Sequence, residues 1–464
     1  MKVKILGAGK NVTGSKFLIE TKEKRFLIDC GLFQEREFKN RNWQDLPVSP
    51  DTIDFIILTH AHLDHCGYLP KIVKDGFKGE IYCTYPTEEI TRIVLLDSAK
   101  LQEEDAEKKR IRHQKEGRIS PFPEIPLYTI EDAKNVFSLF RPKKYREEIK
   151  ISDNIIFKFY DAGHILGSSM VEMVIKEGRE IKKIIFSGDI GRWNKVILED
   201  PTFFSSADIV FMESTYGNRI HESENQGGEK LGDIINETVQ KGGNVVIPTF
   251  AIERAQELLY FLKKLLIEDK IPHIFVFVDS PMAISVTEVF EKYTEYFDEE
   301  TRKMFKQGNS PFDFPLLKFT RSVNESKAIN HIKSSSIIMA GSGMCTGGRI
   351  KHHLITNITR EECTILFVGY QAKGTLGREI LEKKEKIRIL GQFYPLKARV
   401  ESINGFSAHA DRNELFFWID KIKNVKNIFL IHGEEEVISE FSSFLKEKLS
   451  SSIYVPDYLE ELNI

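Results

Sequence analysis

Short apolar runs, closed off by glycine or by polar clusters, set the rhythm of the first part of the chain. Residues 3–6, 16–20, 25–29 and 53–59 are rich in branched side chains and of strand length, so they predict strands. Strand character returns at 151–161, 170–175 and 181–186. Between these two blocks, residues 86–105 place Ile90, Ile93, Leu96 and Leu101 at helical spacing, and 117–141, with prolines at 121, 123 and 126, reads as an irregular excursion. From about 209 the pattern becomes strand and helix in alternation. Strands are predicted at 210–213, 244–248, 274–278, 337–340 and 364–368, and the clearest helices at 253–266 and 282–297. That alternation predicts a mostly parallel sheet wrapped by helices. Residues 386–464 return to strands at 388–390, 400–403 and 427–431 with helices at 412–422 and 437–449.

The strand at 53–59 ends in His60-Ala61-His62-Leu63-Asp64-His65-Cys66-Gly67. Two residues apart on extended backbone, His60 and His62 face the same way, roughly 6 to 7 Å apart, and share one ion readily. Asp64 and His65 follow a turn and offer ligands to a second. Neutral imidazole with carboxylate suits zinc, and two metals roughly 3.5 to 4 Å apart activate water and clamp a phosphoryl group.

Composition adds bounds. The chain has 464 residues, 41% apolar and 29% charged, enough for two or three folded domains. Its 66 Lys and Arg against 69 Asp and Glu leave a formal charge of −3, so nucleic-acid binding requires a local groove rather than a basic surface. Cys30, Cys66, Cys83, Cys345 and Cys363 are scattered and odd in number, which predicts neither disulfides nor a thiolate metal site and points to a reducing cytoplasm. No apolar stretch reaches the roughly 18 residues of a membrane span, so no membrane partner is expected.

Three glycine-containing stretches invite a phosphate reading. Gly7 to Ser15 lacks the GxxxxGK[ST] order and no helix pattern follows, which excludes a nucleotide loop. The loops 341–349 and 369–375 follow predicted strands, and backbone amides there can hold phosphate oxygens, with Ser342, Gly343 and Lys373 as candidates and Lys351 and His352 as added charge. Ordinary glycine turns are the alternative. The basic run Lys108 to Lys115 reads as a solvated helix face, with phosphate contact as the alternative.

Further motifs follow in order: Phe26-Leu27-Ile28-Asp29-Cys30-Gly31, Asp161-Ala162-Gly163-His164, Phe186-Ser187-Gly188-Asp189, Phe211-Met212-Glu213-Ser214-Thr215-Tyr216-Gly217, Gly405-Phe406-Ser407-Ala408-His409 and Leu430-Ile431-His432-Gly433-Glu434. Together with HxHxDH they resemble the metallo-β-lactamase superfamily and its β-CASP branch, whose members process nucleic acids. The resemblance spans nearly the whole chain.

It implies an α/β architecture, an αββα sandwich over 1–208 and 395–464 interrupted by a Rossmann-like β-CASP domain at 209–394 that closes over the metal site. It also implies two zinc ions per chain: His60, His62 and His164 on one, Asp64, His65 and His432 on the other, Asp189 bridging. Asp29 is expected to support the site without being a ligand. The catalytic residues implied are Asp64 and His409, the latter as general acid with Glu213 orienting its ring. The expected activity is hydrolysis of single-stranded RNA, endonucleolytic with 5′-to-3′ exonuclease action as a second mode, by a chain that allows a homodimer. A DNA-directed nuclease or a small-molecule hydrolase of the same superfamily is the alternative. All seven ligand positions are filled, which argues against an inactive scaffold.

Overall fold

The computed structural model describes residues 1–119, 124–222, 224–332, 335–372 and 374–464. The chain forms two compact units. The first comprises Met1–Trp193, Asp200–Ile220 and His409–Ile464; the second comprises Asn194–Glu199 and His221–Ala408.

The first unit is built on two seven-stranded sheets. One runs Glu461–Asn463, Lys2–Ile5, Phe17–Glu20, Arg25–Ile28, Phe55–Ile57, Glu80–Thr84, Phe140–Lys143; the other runs Ser452–Tyr454, Asn427–Ile431, Ile209–Glu213, Glu180–Phe186, Ser169–Glu177, Ile155–Asp161, Ile149–Lys150. Alternate residues of both sheets meet in one core: Phe17, Ile19, Phe26, Ile28, Phe55 and Ile57 face Phe157, Val171, Met173, Phe186, Phe211 and Phe429. Phe186, Phe211 and Phe429 lie on neighbouring strands and stack, with centroids 4.5 and 4.8 Å apart, so removing the central ring is expected to cost about 3–5 kcal/mol.

The outer face of the second sheet, with Met170, Ile185, Val210, Met212, Ile428 and Leu430, packs on Leu415, Trp418 and Ile419 of helix Arg412–Asp420 and on Ile438, Phe441 and Leu445 of helix Glu435–Lys448. Helices Leu69–Lys74, Tyr85–Glu116 and Ile130–Val136 pack beside the first sheet. This is the expected αββα sandwich. Of the excursion expected at 117–141, residues 120–123 lie outside the described residues; beyond them Thr129 and Asp132 form a reciprocal cap that starts a helix, and Phe140 opens an edge strand.

The second unit holds a six-stranded sheet, its strands all paired in parallel, in the order Leu317–Phe319, Phe275–Asp279, Ser336–Ala340, Val245–Pro248, Thr364–Phe367, Arg399–Ser402. Counted along the chain the order is 3-2-4-1-5-6, which differs from the Rossmann order by exchange of the two central strands. Two expected boundaries move. Residues 209–213 belong to the sandwich, because Val210 pairs with Ile185 on one side and Ile428 on the other. Residues 399–402 belong to the parallel sheet, because Val400 pairs with Ile365. The hairpin Lys386–Ile389 with Gln392–Pro395 also lies in the second unit. The interruption therefore runs from 221 to 408 rather than 209 to 394.

Candidate active site

Every metal-ligand candidate named from the sequence lies in the first unit, on loops that leave the carboxyl ends of its strands or on the short helix after them. The chain leaves Phe55–Ile57, passes Thr59 and His60, and turns into helix Leu63–Cys66, which His62 precedes. Gly31 lets the neighbouring loop approach: a Cβ there would stand 1.6 Å from the Asp64 carbonyl oxygen. Gly191 does the same beside the His164 loop, where a Cβ would meet the Gly163 carbonyl oxygen at 1.8 Å.

Two groups of side chains converge on opposite oxygens of Asp189. Around Oδ2, His62 Nδ1 stands 3.1 Å from His60 Nε2 and 3.2 Å from His164 Nε2, with Oδ2 itself 3.2 Å from His60 and 3.5 Å from His164. Around Oδ1, His65 Nε2 and His432 Nε2 are 3.1 Å apart and lie 3.3 and 3.6 Å from it, while Asp64 Oδ2 is 3.5 Å from His432. Both groups satisfy the spacing of donors around a single ion. Ring nitrogens sharing a tetrahedral zinc at about 2.0–2.1 Å stand roughly 3.3 Å apart, so the fit is good. Asp189 Oδ1 is buried without a hydrogen bond, and a cation is the partner that such an oxygen and facing lone pairs require.

The two groups differ in their protonation: burial opposes a charge on His65 and His432, yet the carboxylates of Asp189 with Asp29 or Asp64 raise both, whereas the rings around Oδ2 are neutral at neutral pH. Burial among other imidazoles lowers His60 to about 3 and His62 to about 4, and it drives His164 well down too. Asp189 and Asp64 stay ionised: burial opposes it, but the surrounding histidines hold both carboxyls below their usual range.

A ring of supporting groups aims these ligands. Asp29 accepts from the Thr59 backbone at 2.8 Å and from His65 Nδ1 at 2.7 Å, which leaves His65 Nε2 for the cluster, and Thr59 Oγ1 lies 3.0 Å from His60 Nδ1. Asp29 is thus a support, as expected. His432 has a left-handed backbone, φ +53, held by its N–H to the Ala8 carbonyl at 2.8 Å and by Thr215 Oγ1 at 3.0 Å from its Nδ1. Sequence reasoning assigned no role to Thr59 and Thr215. The signal was their placement, one directly before His60 and the other two residues after Glu213.

His409 stands apart from the ligands. Its Nε2 is 4.0 Å from Asp189, and its Nδ1 bonds Glu213 Oε1 at 3.0 Å. Glu213 is buried and fixed by the N–H groups of Ile190 at 2.7 Å and Thr215 at 3.1 Å. Burial works against a charge on His409, yet the Glu213 carboxylate prevails and raises it to about 9. It carries a proton at neutral pH.

The phosphate candidates lie in the second unit. Ser342 Oγ is used within its own loop, 3.2 Å from Thr346 Oγ1 and accepting from the Gly347 N–H at 3.2 Å, and the Gly343 carbonyl accepts from Gln371 at 3.0 Å. Lys351 bonds the Thr346 carbonyl at 2.7 Å. Lys373 lies outside the described residues.

Comparison with known proteins agrees with this geometry. A metallo-beta-lactamase superfamily domain matches residues 18–212, a Beta-Casp domain matches 255–380, and a Zn-dependent metallo-hydrolase RNA specificity domain matches 394–456. Ribonuclease TTHA0252 of Thermus thermophilus is 36% identical over 96% of both chains. The chain belongs to the β-CASP family of metallo-hydrolases. Other β-CASP relatives include the transcription termination factor FttA of Methanocaldococcus jannaschii, 32% identical over 100% of this chain and 72% of its own, and an RNase J-like protein of the same organism, 30% identical over 98% and 97%. A crystal structure of an Enterococcus faecalis protein of unknown function shares the fold, with a TM-score of 0.55 at 14% identity. In this β-CASP chain the segment matched as the RNA specificity domain contributes both His409 and His432.

Proposed function

We propose that the chain is a zinc-dependent ribonuclease that holds two ions and hydrolyses phosphodiester bonds in single-stranded RNA. The observation that carries this reading is the pair of ligand clusters on the two oxygens of one buried carboxylate. His60, His62 and His164 would hold one ion, Asp64, His65 and His432 the other, and Asp189 both. When bound, the ions supply Lewis acidity, lowering the pKa of water and neutralising phosphoryl charge.

The rest follows from the chain's own groups. His409 presents a protonated Nε2 beside the clusters and donates that proton to the leaving oxygen. Glu213 receives the Nδ1 proton, fixes the ring and keeps it charged before the transfer. Asp29 and Thr215 hold the ligand rings in the tautomer that leaves a lone pair toward the ions. RNA as substrate is supported by the names of the relatives, a ribonuclease and an RNase J-like protein, and by the match of residues 394–456. Single-stranded substrate follows from access, because a phosphate in a rigid duplex reaches a buried cluster poorly. The five cysteines are unpaired and buried, in keeping with a reducing compartment, and no described helix is long and apolar enough to cross a membrane.

The test gives metal-replete protein matched RNA and DNA, single- and double-stranded, labelled at either end. Internal fragments from single-stranded RNA are expected. Mononucleotides from the 5′ end would make it an exonuclease, and faster cleavage of DNA would overturn the RNA assignment.

A further inference from the structure

Three aromatic rings on the surface of the first unit remain unused by the chemistry above. Trp193 stacks on Phe203 with centroids 5.5 Å apart, and Phe417 meets both edge-on at 5.7 and 5.2 Å. Phe203 and Phe417 are 41% and 46% exposed, beside the core that Trp418 fills. Exposed rings grouped in this way mark a surface that meets something.

The group is tied to the loops that carry the cluster. Gly191, two residues before Trp193, forms an antiparallel bridge with His409, and Ala410 donates to the Ile190 carbonyl at 2.8 Å. Glu414 accepts from the N–H of Trp193 at 3.3 Å and from that of Asp411 at 2.9 Å, joining the ring segment to the turn after His409. On the other side Thr202 donates to the carbonyl of Asp161, which begins the His164 loop, at 2.9 Å. The ring segments are therefore anchored to the loops that carry His409 and His164.

Charges of both signs stand by the rings, with Glu199 and Asp200 exposed just before Phe203. Lys421 Nζ lies 5.3 Å from the Phe417 centroid. The Lys423 backbone bonds Ser205 and Ala207, beside Phe203. Both lysines are exposed, and among the described residues neither has a carboxylate partner. Asp420 is the exposed carboxylate of that stretch. Flat rings give every base a face to stack on, and lysines between them track phosphates, which is how single strands are held without sequence preference. Three grouped rings with two lysines beside them suit such a strand better than a protein, which calls for a larger apolar patch.

We infer that Trp193, Phe203 and Phe417, with Lys421, form a stacking platform for unpaired bases of the RNA strand leading away from the His409 side of the site. The inference rests on the ribonuclease reading. It is tested by anisotropy on metal-replete full-length protein with labelled single-stranded RNA of about twelve nucleotides and with a labelled dinucleotide, whose single phosphodiester binds at the cluster alone.

Phe417→Ala and Phe203→Ala are each expected to weaken binding of the longer RNA about tenfold, erasing much of its advantage over the shorter, at unchanged zinc content and thermal midpoint. Phe417→Tyr should restore it, and Lys421→Glu should weaken binding while reducing its salt dependence. Equal loss for both lengths, no loss in either alanine variant, or wild-type self-association that Phe417→Ala abolishes would each overturn the platform. Cleavage is read separately: ring-dependent binding without hydrolysis would sink the ribonuclease reading alone, and ring-independent cleavage would sink the platform alone.

Discussion

Asp189 in the first unit and Asp279 in the second are both buried carboxylates at or just after the carboxyl end of a strand, and both are approached by histidine. Their surroundings differ in one respect. Asp279 is saturated: Oδ1 accepts from Thr320 and Arg349, each at 2.7 Å, and Oδ2 from Ser326 at 2.5 Å and His353 at 2.7 Å. Asp189 Oδ1 has no hydrogen bond, and the ring nitrogens nearby face one another as well as it. Hydrogen-bond saturation marks Asp279 as structural, since nothing is left over for a ligand. Asp189 keeps an oxygen free of hydrogen bonds among converging ring nitrogens, an arrangement that a cation would complete. The presence of a buried Asp with His is uninformative; the count of donors against acceptors separates the two.

The predictions test this contrast. Asp189→Ala should cut hydrolysis by at least about 10³-fold and lose bound metal, read by elemental analysis, because the carboxylate serves both clusters. His409→Ala should lower turnover by roughly 10² to 10⁴ with metal content intact, as a proton donor rather than a ligand would. Asp279→Ala should leave metal content unchanged yet cost about 3–5 kcal/mol in chemical denaturation, because Arg349 and His353 lose their buried partner. If Asp279→Ala released metal, the distinction by saturation would be wrong.

The smallest effect concerns pH. His409 is raised to about 9 and acts in its protonated form, so turnover should hold below that value and fall as pH rises through it. Glu213→Gln removes the charge that raises it, so the alkaline limb should move about one to two pH units lower. A pH–rate profile that stays put would remove Glu213 from this role.

The convergence of the candidate ligands was legible because they sit in runs whose spacing is itself geometry: His60 and His62 two apart at a strand end, His65 one helical turn onward. The strands at 25–29, 53–59 and 427–431 were equally readable from branched apolar runs. What the sequence could not show was which sheet a strand joins. Residues 399–402 have an apolar pattern that suits either unit, and only pairing with Thr364–Phe367 decides it. Thr59 and Thr215 were invisible for another reason. A hydroxyl's role depends on the ring nitrogen it meets, and His432 is 217 positions from Thr215.

That distance bears on how the molecule comes into being. Ile209–Glu213 pairs in parallel with Asn427–Ile431, and the hydrogen bond between Glu213 and His409 spans the whole second unit. A ribosome that has made the loops of His60, His164 and Asp189 still has the entire intervening unit to make before it delivers His409 and His432, the proton donor and last ligand of the proposed reading. The nascent chain is therefore without activity until late in translation, and a hydrolase of RNA so arranged is inert for most of the time it spends tethered to its own message.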